Sequence, residues 1–376
     1  MTEKRIVCIT DVCSSIFAGG DAPKKHFSFE QTEECCYPVF SNGENNNGLY
    51  GYTNTARVTE PSITVSARGT IGFTAIRLTP FTPIVRLISI TPIQDIIDID
   101  YLYYALSNYT PENTGTSIPQ LTVPMIKKYT FRLPEKDEQK RAVKVLKQLD
   151  DIYEKEKKQI QKLDELIKSR FIEMFGRIKT NDKGWNITTV KKIADVRGRV
   201  GWKGYKKDDL RESGPLVLGA THLTDNGDLD LSAPVHLSRE KYEESPEIVL
   251  QKNDLIFTQR GNTIGKVGLV TEDIGEATIN PCVLIIRPIN VNPLYLKTYF
   301  IMDDTKDDMW MLNSGSAQPM ITQKGIGEYH LILPPITLQN QFADFVTQVE
   351  KQKATVQQSI DKLETLKKSL MQKYFG

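Results

Sequence analysis

The sequence predicts an α+β protein built twice over. Two similar domains, each a twisted β-sheet with few helices, are separated by two long helices forming an antiparallel coiled coil with pseudo-twofold symmetry. Three observations lead there. The chain repeats itself: residues 131–176 (FRLPEKDEQKRAVKVLKQLDDIYEKEKKQIQKLDELIKSRFIEMFG) align without a gap against residues 331–376 (LILPPITLQNQFADFVTQVEKQKATVQQSIDKLETLKKSLMQKYFG), sharing an LP start, a glutamine at Gln139 and Gln339, and an FG stop. Within each copy a stretch of about forty residues is free of Gly and Pro and rich in charges of both signs, as one long helix requires. The remainder carries short β-like runs between polar turns. The expected organisation is a first domain at 1–134, a central helix at 135–176, a second domain at 177–334 and a C-terminal helix at 335–376.

The elements follow in order. The first domain offers the strand pattern PSITVSARGTIGF and one helix, DIDYLYYALSN at 98–108; the second offers VLQKNDLIFTQRG, GKVGLV and CVLIIRP, then NPLYLKTYFIMDD at 292–304. In the last of these Asn292 reads as an N-cap with Pro293 in the first turn. Pro134 precedes the central helix and Gly176 ends it as a C-cap residue. Such a helix spans roughly 60 Å at ~1.5 Å per residue. Its seven-residue apolar series is Leu146, Tyr153, Ile160, Ile167, Met174; that of the C-terminal helix is Phe342, Val349, Val356, Leu363, Leu370. The two series are strong at different positions, so the helices are expected to pair with each other, antiparallel, rather than each packing on its own domain. Lys155, Lys157, Lys158, Lys351 and Lys353 are expected on a solvated face.

The duplication extends upstream. GTSIPQLT (115–122) matches GSAQPMIT (315–322), SARGTIGF (66–73) resembles TQRGNTIGKVG (258–268), and ITDV (9–12) resembles IADV (193–196).

Bulk composition narrows the class. The 376 residues are 39% hydrophobic and 25% charged, ordinary for a globular protein, with no apolar run of membrane-spanning length. The stretch MTEKRIVCITDV lacks an export-type apolar core, so a cytoplasmic location is expected. Cys8, Cys13, Cys35, Cys36 and Cys282 read as reduced thiols, although the adjacent Cys35–Cys36 pair also admits a redox or metal role. A net charge of +1 leaves nucleic-acid binding to be decided by local patches.

Such patches exist. RGRVGWKGYKK (197–207) holds Arg197, Arg199, Lys203, Lys206 and Lys207 with Trp202, Tyr205 and three glycines, and no acid interrupts it. Cations replace phosphate counterions, glycines permit close approach and aromatics stack; the alternative is a solvated basic loop. The first domain has Lys24 and Lys25 in GGDAPKKHFSF, and Asn42, Asn45 and Asn46 in SNGENNNG, where asparagine either reads adenine or simply makes turns. Thr221 and His222 lie in the positional counterpart, GATHLTDNG. Arg68, and Arg260 with Asn262, sit at strand ends, where an arginine either braces a hairpin or faces DNA.

No phosphate loop, dinucleotide fingerprint, metal-ligand spacing or nucleophile elbow occurs, and His26, His222, His236 and His330 are scattered. NPLY (292–295) only approaches a base-methylation motif.

The repeated G-x-x-x-P-x-h-T segment before LP, the Gln139 and Gln339 helix starts, the LP-to-FG helices and the two RG-x(1,2)-I-G strand ends, in duplicated order over essentially the whole chain, resemble the specificity subunit of type I restriction–modification systems. The resemblance implies two target recognition domains, each reading half of a bipartite asymmetric site in double-stranded DNA. The helices would set the spacing and dock two methyltransferase (modification) subunits. Restriction/translocase subunits would join them, and no membrane is involved. This chain would be no enzyme and hold no cofactor; S-adenosylmethionine, ATP and Mg are expected on partner subunits. Two other classes compete: a nucleic-acid-modifying enzyme, and a coiled-coil adaptor without DNA readout. The linker RIKTNDKGWNITTV before the second domain has no counterpart before the first, which leaves the first domain's N-terminal edge open. If the helices run antiparallel, the C-terminus is expected near Met1.

Overall fold

A computed structural model describes residues 5–109, 120–199, 204–312 and 320–376. The chain forms two compact units, one of residues 1–157 with 358–376, the other of residues 158–357. Both divisions fall inside long helices, so each unit contains part of each.

In the first unit, β1 (Ile6–Cys8), β2 (Cys13–Ala18), β3 (Ser62–Val65), β4 (Thr74–Arg77) and β5 (Ile88–Pro92) precede α1 (Ile99–Ser107) and β6 (Thr130–Arg132). The helix α2 (Lys136–Phe175) follows. The main sheet is antiparallel in the order β2-β5-β3-β4, and β1 pairs with β6 apart from it. The second unit repeats this plan. Here β7 (Asn186–Thr189), β8 (Ala194–Gly198), β9 (Leu255–Thr258), β10 (Val267–Leu269) and β11 (Val283–Pro288) precede α3 (Pro293–Ile301), β12 (His330–Leu333) and α4 (Ile336–Phe375). The sheet order is β8-β11-β9-β10, and β7 pairs with β12. The NITT of the linker is β7, and IVC at 6–8 is its counterpart β1, so that edge strand of the first unit is present.

The halves diverge in their second sheets. Residues 27–28, 37–40, 49–53 and 82–83 form a four-stranded sheet in the first unit, whereas residues 210–218, 236–237 and 277–279 form a three-stranded one in the second.

Asn292 caps its short helix as expected, and Asp98, which the sequence had not singled out, caps the other. Asp98 accepts from Asp100 N and Tyr101 N at 2.9 and 3.2 Å; Asn292 accepts from Leu294 N and Tyr295 N at 2.9 and 3.4 Å. Gly176, at φ +78°, ends α2.

The helices pair antiparallel inside each unit. In the first, Asp150 meets Lys367 at 2.5 Å, Tyr153 donates to Glu364 at 3.0 Å, and Ser359 donates to Glu156 at 2.7 Å. In the second, Asp164 meets Lys353 at 2.7 Å and Phe171 packs edge-on against Phe342 at 5.6 Å. As numbers rise on one helix they fall on the other. Of the seam positions, Leu146, Ile167 and Val349 are buried, but Tyr153, Ile160, Val356, Leu363 and Leu370 are only half-buried. The middle of the seam is therefore carried largely by polar pairs rather than by an unbroken apolar stripe.

Lys353 corrects the expectation of a solvated face. It is buried, bonded to Asp164, with Glu350 at 3.1 Å. Burial alone would lower its pKa, but the Asp164 hydrogen bond and the surrounding carboxylates outweigh that and raise it above the ordinary lysine value. Lys155, Lys157, Lys158 and Lys351 are exposed.

The core of each unit is closed by the last turn of one long helix. Phe375 and Met371 pack in the first unit's core, with the Phe375 ring 4.8 Å from Tyr101. Phe175 packs in the second, 4.9 Å from Tyr295. Burying a phenylalanine contributes about 1.5–3 kcal/mol. Among the described residues no helix is long and apolar enough to cross a membrane.

Candidate nucleic-acid interface

The two repeated loop motifs come together, once in each unit. The β3–β4 hairpin turns through SARGTIGF with Gly69 and Gly72 at φ +68° and +85°; the β9–β10 hairpin turns through the TQRGNTIG stretch with Gly261 and Gly265 at φ +100° and +83°. This left-handed backbone favours glycine, which explains the spacing. The described part of each P-x-h-T segment, 120–122 and 320–322, lies alongside. Leu121 N donates to Ala67 O at 3.0 Å, and Ile321 N donates to Gln259 O at 2.8 Å. The arginine after each acceptor reaches the same neighbouring segment: Arg68 Nη2 lies 3.2 Å from Gln120 Oε1, and Arg260 Nη2 lies 3.1 Å from Met320 Sδ. The sequence singled out both motifs but carried no signal that they touch.

The candidate residues separate into two groups. Lys24, Lys25, Asn45, Asn46, Lys206, Lys207, Thr221 and Asn262 are exposed, as is Arg68. They can meet a polyanion without reorganising a core. Asn46 stands at φ +48° in a turn, a conformation asparagine tolerates. Trp202 and Lys203 lie outside the described residues.

The second group is inward. Asn42 is committed to the backbone: its Oδ1 accepts from Ala67 N and its Nδ2 donates to Val85 O, both at 2.7 Å. His222 is buried and its Nδ1 accepts from Gly219 N at 3.1 Å, which places a neutral ring's proton on Nε2. Arg199 is buried too. It donates to Ile279 O at 3.0 Å and Thr278 Oγ1 at 3.2 Å, beneath the Tyr205 ring at 5.5 Å, and burial lowers its pKa. Asn42, His222 and Arg199 therefore brace loops rather than face a ligand. Arg197 stands between the groups, held by Asp195 at 2.5 Å and donating to Glu247 O. Arg260, half-buried on Met320, does so as well.

Sequence reasoning named Gln139 and Gln339 without their role. Each is buried at a helix start. Gln139 donates to Pro134 O and accepts from Asp98 N; Gln339 donates to Pro334 O and accepts from Asn292 N. Each glutamine thus clamps the LP entry of a long helix to the capping residue of the short helix beside it. Among the described residues no group of three or more His, Cys, Asp or Glu side chains comes together to hold a metal.

Fold and site together define a class: two domains of one sheet topology, each with an arginine-tipped hairpin, closed by an antiparallel helix pair. The sequence matches the family model for the type I restriction modification DNA specificity domain over residues 1–165 and 182–365, and the chain belongs to that family. A relative described as a type I specificity subunit of Mycoplasma pneumoniae is 35% identical over 144 residues, 38% of this chain and 42% of that protein, so the match spans under half of the relative's length. The MjaIX type I restriction enzyme specificity subunit of Methanocaldococcus jannaschii is 22% identical over 336 residues, 83% of this chain and 76% of that one. The crystal structure of a type I restriction–modification S subunit from M. genitalium matches with a TM-score of 0.55 at 16% identity, covering 100% of this chain and 97% of the other, a likeness of fold.

Proposed function

We propose that the chain is a DNA-reading subunit that catalyses nothing itself. Each unit reads one half of a bipartite, asymmetric site in double-stranded DNA. The helix pair sets the gap between the halves and docks two modification subunits, with restriction/translocase subunits joining that core. S-adenosylmethionine, ATP and Mg would be held by those partners.

One observation carries the reading. The same hairpin and P-x-h-T pairing occurs twice, in units whose second sheets differ. One framework that presents two different sets of loops suits a molecule that reads two different half-sites. The exposed lysines supply affinity that depends on salt.

The test is to express the chain with its modification subunits and sequence the methylated DNA. One split, asymmetric motif is expected. Loss of every split motif, with the complex assembled, would leave the adaptor reading in its place. Methylation by the chain alone would make it an enzyme.

A further inference from the structure

We propose that the two-residue turn Val85–Arg86 is a base-reading element of the first unit, with Arg86 donating to a guanine edge in the major groove and Val85 packing against the neighbouring base. The proposal rests on the DNA-reading function above.

The turn is unusual in its backbone. Both residues are left-handed, at φ +50° and +66°. For a β-branched residue such as Val85 that is an outlier, and such conformations persist only where the surroundings over-determine them. Here they do. Val85 N donates to Gly20 O at 2.7 Å and Arg86 N to Gly19 O at 3.1 Å. A side chain at Gly19 would meet Pro83 backbone at 2.5 Å, so the two chain segments touch closely. Asn42 then ties Val85 O to Ala67 N, one residue before Arg68 at the hairpin tip. The strained turn is thus fixed to the hairpin.

It holds two side chains out. Val85 is 48% exposed, and Arg86 is exposed with no partner among the described residues. Arg86 lines a cleft of about 360 Å³ with Gln120, whose oxygen accepts from Arg68, and no carboxylate lines it. A free guanidinium fork matches guanine O6 and N7, and an apolar methyl suits a thymine methyl.

The second unit uses a matching strut with different contents. Leu284 pairs with Phe257 as Ile88 pairs with Val65, which places Pro281–Cys282 where Val85–Arg86 stands. There Gln259 donates to Pro281 O at 2.9 Å, as Asn42 donates to Val85 O. A position that an amide side chain holds in both units, but that turns left-handed only in the first, is where two readers of different half-sites should differ.

The test uses the full chain assembled with its modification subunits, comparing Arg86→Ala and Arg86→Lys with the unaltered protein by selection from a random double-stranded library and by binding to the selected site at several salt concentrations. Arg86→Ala should weaken binding roughly ten- to a hundred-fold and relax the preference at one base pair of one half-site, leaving the other half-site unchanged. Arg86→Lys should retain the salt slope yet lose the base preference, because an ammonium lacks the fork. Uniform weakening on all sequences, with the salt slope reduced by about 1, would make Arg86 a phosphate contact and overturn base reading. An unchanged motif would place the turn off the DNA. If the unaltered complex selects no split site, the function itself fails, a separate outcome. Val85→Gly, which relieves the backbone, should raise the melting temperature; a fall would show that the turn is not strained.

Discussion

At the scale of single residues, polar side chains divide by what they already hold. Lys206 and Lys207 are exposed and free of the core, so replacing both with alanine should reduce the salt slope of DNA binding by about 1 for each phosphate they had neutralised, as read by binding across a salt series. An unaltered slope would put that loop off the DNA. Arg199, in the same loop, is spent on Ile279 O and Thr278, so Arg199→Ala should lower stability while leaving the salt slope intact. Gln139→Ala and Gln339→Ala should each cost about 1–3 kcal/mol in urea unfolding, because Asp98 N or Asn292 N loses its acceptor together with a proline carbonyl's donor. Equal stability would show that the clamp contributes nothing. The sequence made these residues visible but not their roles. Composition marks a basic or asparagine-rich loop, whereas only tertiary packing decides that Asn42 faces Ala67 and Val85. The Gln139–Gln339 repeat was legible because a buried side chain with partners on two segments cannot drift freely.

Among elements, the long helices were the most legible feature, since about forty residues without Gly or Pro and a seven-residue apolar period leave little else to form. Their partner was harder to read. The apolar series suggested mutual pairing, but the register is set by Tyr153–Glu364 in one unit and Asp164–Lys353 in the other, polar pairs invisible to a hydrophobic pattern. Asp164→Asn should therefore destabilise the second unit by about 1.5–3 kcal/mol, since Lys353 loses its closest charged hydrogen-bond partner while keeping Glu350. Calorimetry would check this, and a change below about 1 kcal/mol would mean that Glu350 and Asp228 suffice. Removing one heptad from each helix at facing positions, 154–160 and 357–363, shortens the pair by roughly 10 Å at ~1.5 Å per residue. The selected half-sites should stay the same while their gap shrinks by about three base pairs. A constant gap would refute the helices as a spacer.

In the whole molecule, duplication was plain from the sequence, and antiparallel helices already implied a C-terminus near Met1; which aromatic cores the two FG ends close was not. An FG that ends one repeat looks as if it belongs to the domain before it. Instead Phe175 lies with Tyr295 and Phe375 with Tyr101. A phenyl group has no address in its own sequence; it goes where a hydrophobic gap of its size remains. In the first unit Arg132 donates to Lys373 O and pairs through β6 with Ile6, so the C-terminal turn lies beside the first described strand. A short linker joining residues 376 and 5, with new ends opened in the loop after Gly176, should preserve the methylated motif. A changed motif would show that the order of the chain, not only its fold, determines what is read.

The same interchange sets a timetable for synthesis on the ribosome. Tyr101 waits 273 residues for Tyr374, and Phe375 follows it. At ~5–20 residues per second that is roughly 15–55 s during which the first-made sheet lacks the end of its cover. The second unit is one uninterrupted stretch, 158–357, and can finish first. The half translated earlier is thus the half completed later, and nascent chains stalled near residue 340 should yield to protease in the first unit throughout.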